Sequence, residues 1–226
     1  MAASAADPPT VILAGASGLI GRALLDLLLA PGRSDRVAVL MRRPLAPPRS
    51  DPRLSVRTGE LAALAGEASG VRDVYIALGT TIKVAGSEAA FRAVDFDLVV
   101  AVARAARSAG ATRLAVVSAL GANARSAIFY NRVKGEAEDA LKTLGYESLV
   151  IAQPSLLIGD RAALGQPTRS GEQFAARFFA PVMPWIPARV RPIAAATVAK
   201  AMIAALEQAT PGTRVLPSAE MQRLGR

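Results

Sequence analysis

Residues 10–21 read T-V-I-L-A-G-A-S-G-L-I-G, and the reading of this stretch decides the fold. A short apolar strand runs into three glycines spaced by three, and an apolar helical run follows from Ala23 to Leu29. Glycines 15 and 18 let the chain turn tightly and keep side chains away from the first turn of the helix. The backbone N–H groups there, at the positive end of the helix dipole, suit a pyrophosphate. Gly21 lets the helix pack close to the strand. Glycine also punctuates ordinary turns, so the flanking strand and helix are what turn the spacing into a dinucleotide-binding signal. The expected contacts are Gly15, Ser17, Gly18, Leu19, Ile20 and Gly21.

Outward from this loop, strands and helices alternate. Apolar strands are predicted at Val37–Leu40, Leu54–Val56, Asp73–Leu78, Leu114–Val117 and Ser148–Ala152. Helices are predicted over Ser87–Ala109, with Phe91, Val94, Leu98, Val102 and Ala105 on one stripe, and over Ile128–Leu144. This alternation predicts an α/β fold: a doubly wound parallel sheet with both faces covered. Ligands of such sheets bind beyond the carboxyl ends of the strands, which here carry Gly15, Arg42, Gly79 and Ser118. After Pro154 prolines interrupt the pattern, with a late helix predicted at Thr197–Leu206 and a last strand at Thr213–Leu216. The expected organisation is a disordered lead at 1–9 and one domain over 10–226. Residues 155–226 would contribute a small cap on the substrate side.

Composition narrows the chemistry. The chain has 226 residues, no cysteine and no histidine. Disulfides, a thiol nucleophile and cysteine or histidine metal sites are excluded, and acid–base work falls to Tyr, Lys, Asp, Glu or Ser. No metal site is expected. The formal charge of +9 comes almost wholly from arginine, with four lysines, and no run of five like charges occurs. Aromatic residues are 4%, too few for extensive base stacking, so nucleic-acid binding is not expected. No segment reaches about 18 uncharged apolar residues, so no membrane span is expected. The N-terminus lacks a basic start and an apolar core, and a cytoplasmic location is the expectation.

Tyr130 and Lys134 stand at i and i+4 of the second predicted helix and therefore share a face. A neighbouring ammonium favours phenolate, which would fit Tyr130 for proton transfer near neutral pH. A surface aromatic–lysine contact is the plainer alternative. Ser118, twelve residues earlier at a strand end, can hydrogen-bond a substrate carbonyl or simply cap a turn, and Ser126 is its rival. Arg42 and Arg43 stand where such folds read the adenosine ribose. No Asp or Glu occurs between Val37 and Ser50, so NADP (NADPH) is favoured over NAD. Leu78, Gly79, Thr80 and Thr81 end the fourth strand and can lie along the cofactor. Lys83 contacts phosphate or is simply solvated.

Taken together, G-A-S-G-L-I-G (15–21), M-R-R (41–43), L-G-T-T (78–81), A-G-S (85–87), F-R-A-V-D (91–95), Y-N-R-V-K-G-E (130–136) and P-S-L-L-I-G (154–159) resemble the short-chain dehydrogenase/reductase superfamily. The likeness is to its atypical branch, typified by the Tat-interacting-protein oxidoreductases and their bacterial relatives. The resemblance implies an NAD(P)-binding Rossmann fold. It implies Tyr130 as catalytic acid/base, Lys134 as the group that lowers its pKa and holds the nicotinamide ribose, and Ser118 as the group that orients the carbonyl. Hydride would pass to or from a small carbonyl or alcohol substrate. Two departures stand out. Ala119 follows Ser118 where a serine pair is common, and Gln153 precedes Pro154 where the branch has arginine. Two other readings share these motifs: a non-catalytic NADPH-binding regulatory or sensor protein, and a nucleotide-sugar epimerase or dehydratase.

Overall fold

Strand β1 (Thr10–Ala14) is the centre around which the chain is wound. Its side chains alternate between two faces and both faces are buried. Val11 and Leu13 enter one apolar cluster, Ile12 and Ala14 the other. The computed structural model describes residues 10–44, 49–158 and 186–225. The expected lead at 1–9 lies outside them.

The order along the chain is β1, α1 (Leu19–Leu28), β2 (Arg36–Met41), β3 (Leu54–Thr58), α2 (Leu61–Gly66) and β4 (Val71–Ile76). Two short helices follow, α3 (Ile82–Ala85) and α4 (Glu88–Arg92), then a π-helical segment at Ala93–Leu98 that continues as α5 (Val99–Ser108). Next come β5 (Arg113–Val117), α6 (Phe129–Lys142), β6 (Ser148–Gln153), β7 (Leu157–Ile158) and β8 (Ile193–Ala194). The described chain ends with α7 (Ala195–Glu207), β9 (Gly212–Pro217) and α8 (Ser218–Leu224).

The main sheet has seven strands in the order β3-β2-β1-β4-β5-β6-β9, with every neighbouring pair parallel. The order reverses direction between β1 and β4, the topological switch point of a doubly wound sheet. One face is covered by α1 and α7, whose Leu24, Leu28, Val198 and Met202 are fully buried. The other is covered by α2 and α5, with Leu61, Val99, Val102 and Ala106, and by Leu141 of α6. The predicted strands and the parallel sheet are therefore present.

Two expectations change. The predicted single helix over Ser87–Ala109 is interrupted by the π-helical segment, which winds about one extra residue per turn. The extra residue shifts the buried stripe. Asp95 and Val99 are buried, while Val94 and Leu98 are only half-buried. The tail also divides. The predicted late helix and last strand, within α7 and β9, join the central sheet and its helical layer rather than standing over a cleft. Among the described residues of the tail, the two-stranded ribbon β7-β8 is the part that lies just after the end of β6. The rest of the cap expectation falls on residues 159–185, outside the described residues.

The glycine loop sets how closely β1, α1 and β4 approach. Gly15 has φ +97°, and a Cβ on it would lie 2.5 Å from the Ala77 carbonyl oxygen. A Cβ on Gly21 would lie 2.0 Å from the Gly15 carbonyl oxygen, an impossible contact with rigid backbone. Gly18 has ordinary dihedrals, and its nearest neighbour would be 3.5 Å away. Gly21→Ala is therefore expected to destabilise the fold by about 2–3 kcal/mol, in the upper range for overpacking. Gly18→Ala should stay within about 0.5 kcal/mol of the parent. Urea unfolding of both variants checks the contrast.

Candidate functional site

The first turn of α1, like those of α6, α7 and α8, makes no side-chain capping hydrogen bond. Helices α2, α3 and α4 are each capped by a side-chain oxygen, from Glu60, Thr81 and Ser87. The N-cap of α1 is Gly18, which has no side chain to offer one. Its first turn therefore has no side-chain oxygen on its N–H groups, and a helix N-terminus of this kind can receive an anion. Ser17 is exposed on this loop, Leu19 is half-buried, and Ile20 is buried in the core, so Ile20 can offer a ligand only its backbone.

The glycine loop abuts the end of β4, because Ala77 donates its N–H to Ala14 and its carbonyl sits against Gly15. Two residues on, Gly79 lies against the α6 site. A Cβ there would meet Asp95 Oδ1 at 3.2 Å and Lys134 Nζ at 3.7 Å. Gly15, Ala77, Gly79 and Lys134 thus form a continuous path from the expected pyrophosphate end to the expected reaction end. Leu78 is half-buried along it. Thr80 contributes its backbone N–H to Asp95 Oδ2 at 2.8 Å. The Thr81 hydroxyl is engaged in capping α3, accepting from the Val84 N–H at 3.1 Å. Lys83 is exposed.

Lys134 is buried, and its ammonium is paired with Asp95 Oδ1 at 2.7 Å. An unpaired buried ammonium would be costly, and the pairing is what allows it to stay. The partner that holds Lys134 in this structure is therefore a carboxylate rather than the Tyr130 phenol. Tyr130 lies one helical turn earlier, half-buried, with its ring against Phe91 at 5.3 Å between centroids. Phe91 also packs on Phe129, so an aromatic group supports the first turn of α6.

Ser118 follows β5 and is buried. Its hydroxyl donates to Glu138 Oε1. Gln153 at the end of β6 donates from Nε2 to both Glu138 oxygens, at 2.9 and 3.1 Å. Glu138 is itself buried, on the face of α6 that carries Tyr130 and Lys134 at successive four-residue steps. Ser118, Lys134, Asp95 and Glu138 line one small void. The rival Ser126 is placed elsewhere, its hydroxyl accepting from the Ile128 N–H at 3.1 Å just before α6. Arg42 and Arg43 directly follow β2, the strand beside β1, and both are exposed.

Asp95 and Glu138 are residues of this candidate site that the sequence did not single out. Each left a signal: an acidic residue set in an apolar helical stripe, Asp95 between Phe91 and Val99, Glu138 among Val133, Ala137 and Leu141. Gln153 was visible as a departure, and its amide now has a partner. Among the described residues no cluster of acidic side chains could hold a metal ion, and no helix is long and apolar enough to cross a membrane.

Comparison with known proteins places this arrangement. Residues 15–209 match the family model described as NAD(P)H-binding. The protein Fmp52, mitochondrial, of Emericella nidulans is 34% identical over 177 residues, covering 75% of this chain and 74% of its own. Its namesake from Eremothecium gossypii is 35% identical over 152 residues, covering 66% and 67%. Among solved structures, Bordetella bronchiseptica WbmG in complex with NAD aligns with TM-score 0.68 at 19% identity, covering 96% of this chain and 74% of that one. The UDP-N-acetylglucosamine 4-epimerase of Methanobrevibacter ruminantium aligns with TM-score 0.68 at 15% identity, covering 93% and 76%. At such identities the likeness is one of fold.

Two expectations are corrected by these matches. The relatives are fungal Fmp52 proteins rather than a bacterial Tat-interacting-protein branch. They carry the word mitochondrial in their names, which overturns the expectation of a cytoplasmic location. With a family model matched over most of its length and Fmp52 proteins as relatives, the chain belongs to the NAD(P)H-binding family.

Proposed function

We propose that the protein is an NADPH-dependent oxidoreductase that acts on a small carbonyl or alcohol through Ser118, Tyr130 and Lys134. The observation that carries this reading is that the glycine loop and the Lys134 pair adjoin the same end of β4. The glycine loop meets β4 at Ala77, and two residues later the backbone at Gly79 faces the Lys134 ammonium. A dinucleotide laid along the switch point would have its pyrophosphate at the first turn of α1 and its nicotinamide end at α6.

The residues present fit such a group. Gly15 and Gly18 leave the helix N-terminus open, and Arg42 and Arg43 stand exposed after β2 with no acidic neighbour in sequence. Two guanidiniums can grip a phosphate on the adenosine ribose. When bound, the dinucleotide supplies or accepts the hydride. Tyr130 gives or takes the proton at the substrate oxygen. Lys134 is held by Asp95 close to Gly79 and would offer its remaining donors to ribose hydroxyls. Ser118 has its only proton on Glu138, so toward the cleft it acts as an acceptor, for the Tyr130 phenol or a substrate hydroxyl.

Three outcomes test the reading. Tyr130→Phe should lower turnover of a panel of small aldehydes and ketones by at least about 100-fold, with NADPH affinity unchanged. Retained turnover removes the catalytic role of the phenol. Arg42→Ala with Arg43→Ala should weaken NADPH by at least about tenfold and leave NADH nearly unaffected, read by calorimetric titration. Equal losses for both cofactors would mean that the arginines do not read a ribose phosphate. Gly18→Ala, structurally tolerated, should weaken both cofactors by about tenfold, because its Cβ enters the pyrophosphate approach.

A further inference from the structure

Glu138 is a buried carboxylate that receives three hydrogen bonds from neutral groups. Ser118 gives its hydroxyl proton to Oε1, and the Gln153 amide donates to both oxygens at 2.9 and 3.1 Å. An ionised carboxylate only accepts, and burying one is costly unless its oxygens are satisfied, so these bonds are not given up freely. They reach Glu138 from two strand ends. Ser118 directly follows β5 and Gln153 closes β6. The Ser118 N–H also donates to the Ala152 carbonyl at 2.7 Å, so backbone and side chain fix this serine at two points. A serine hydroxyl has one proton and two lone pairs. With the proton on Glu138, what Ser118 has left to offer is an acceptor.

We propose that Glu138 and Gln153 are positioning residues that set the polarity of Ser118, and that the site in consequence selects substrates with a hydroxyl beside the reacting carbon. These are vicinal hydroxy-carbonyls, or vicinal diols in the reverse direction. The proposal rests on the oxidoreductase reading for where the substrate sits, between Ser118 and Tyr130. A carbonyl oxygen has no proton to give, so it takes its hydrogen bond from the Tyr130 phenol and none from Ser118. A hydroxyl on the next carbon donates to Ser118, and the two contacts together fix which face of the carbonyl is presented to hydride. A simple ketone leaves the buried Ser118 oxygen without that donor. A site built to pair a substrate hydroxyl rejects the analogue that lacks it. Glu138 stands on the face of α6 that carries Tyr130 and Lys134, so the group that sets the polarity and the phenol share one rigid element.

The test reads binding rather than turnover. In the complex with oxidised cofactor a carbonyl cannot be reduced, and there hydroxyacetone is expected to bind at least about fivefold more tightly than acetone, read by NMR titration. Glu138→Met frees the Ser118 proton and should cut that ratio at least about threefold. A merely structural loss would weaken both ligands alike and leave the ratio unmoved. Gln153→Leu should also lower the ratio. Ser118→Ala should abolish the preference, and it serves if Glu138→Met folds poorly. A neutron structure of the unaltered protein is expected to place the Ser118 deuteron on the line to Glu138 Oε1. A smaller preference in the parent, a ratio that survives in the folded variants, or a deuteron turned away from Glu138 overturns the proposal. Retained turnover in Tyr130→Phe would remove the catalytic role of the phenol and leave these readouts standing, so the two proposals fail separately.

Discussion

The ion pair between Lys134 and Asp95 holds the candidate site together. Both partners are buried, and an ammonium and a carboxylate are kept out of water only when each finds its counterpart and its remaining polar atoms are satisfied. Asp95 sets Oδ1 against the Lys134 ammonium as an ion pair and accepts the Thr80 N–H on Oδ2. Three elements are thereby fastened to one another: the end of β4, the π-helical segment and α6. The distortion of the segment at Ala93–Leu98 is understandable in these terms, since it places Asp95 on the buried stripe. The absence of a side chain at Gly79 leaves space for the pair.

The sheet supplies the second constraint. With α1 and α7 on one face and α2, α5 and α6 on the other, alternate residues of each central strand enter separate apolar clusters. Polar chemistry is pushed to the strand ends. At the amino ends this appears as structure: buried Asp73 is held by Arg72 and Arg113, and Arg53 donates to the Leu29, Ala30 and Arg33 carbonyls after α1. At the carboxyl ends it appears as the glycine loop, the Gly79 turn and the Ser118–Glu138–Gln153 group. The basic balance of the chain reads differently once this is seen. Arg33, Arg49, Arg53, Arg57, Arg72, Arg92, Arg113 and Arg214 are all engaged with carboxylates, so much of the positive charge serves internal pairing.

Much of the architecture was legible along the chain, because burial on two faces imposes continuous apolar strands and glycine spacing reports a close backbone approach. β1, the glycine turn, α6 and β9 all follow from local pattern. The site was legible only where chemistry and periodicity coincide, as with Tyr130 and Lys134 on one helical face. Asp95 was passed over because the regular helical period assumed for 87–109 does not allow for a π-helical segment. Glu138 was passed over because a single acid in an amphipathic helix looks like any other until its neighbours are known.

The sequence by itself determined the alternation of strands and helices, the position of the glycine turn and the residue types available for proton transfer, since these depend on pattern local in the chain. Only the tertiary structure decided which partners those residues take. Lys134 faces a carboxylate thirty-nine positions earlier, and Ser118 commits its proton to one twenty positions later. Such pairings are set by how β4, β5 and α6 pack, and by the cost of leaving a buried charge alone, neither of which has a period to read.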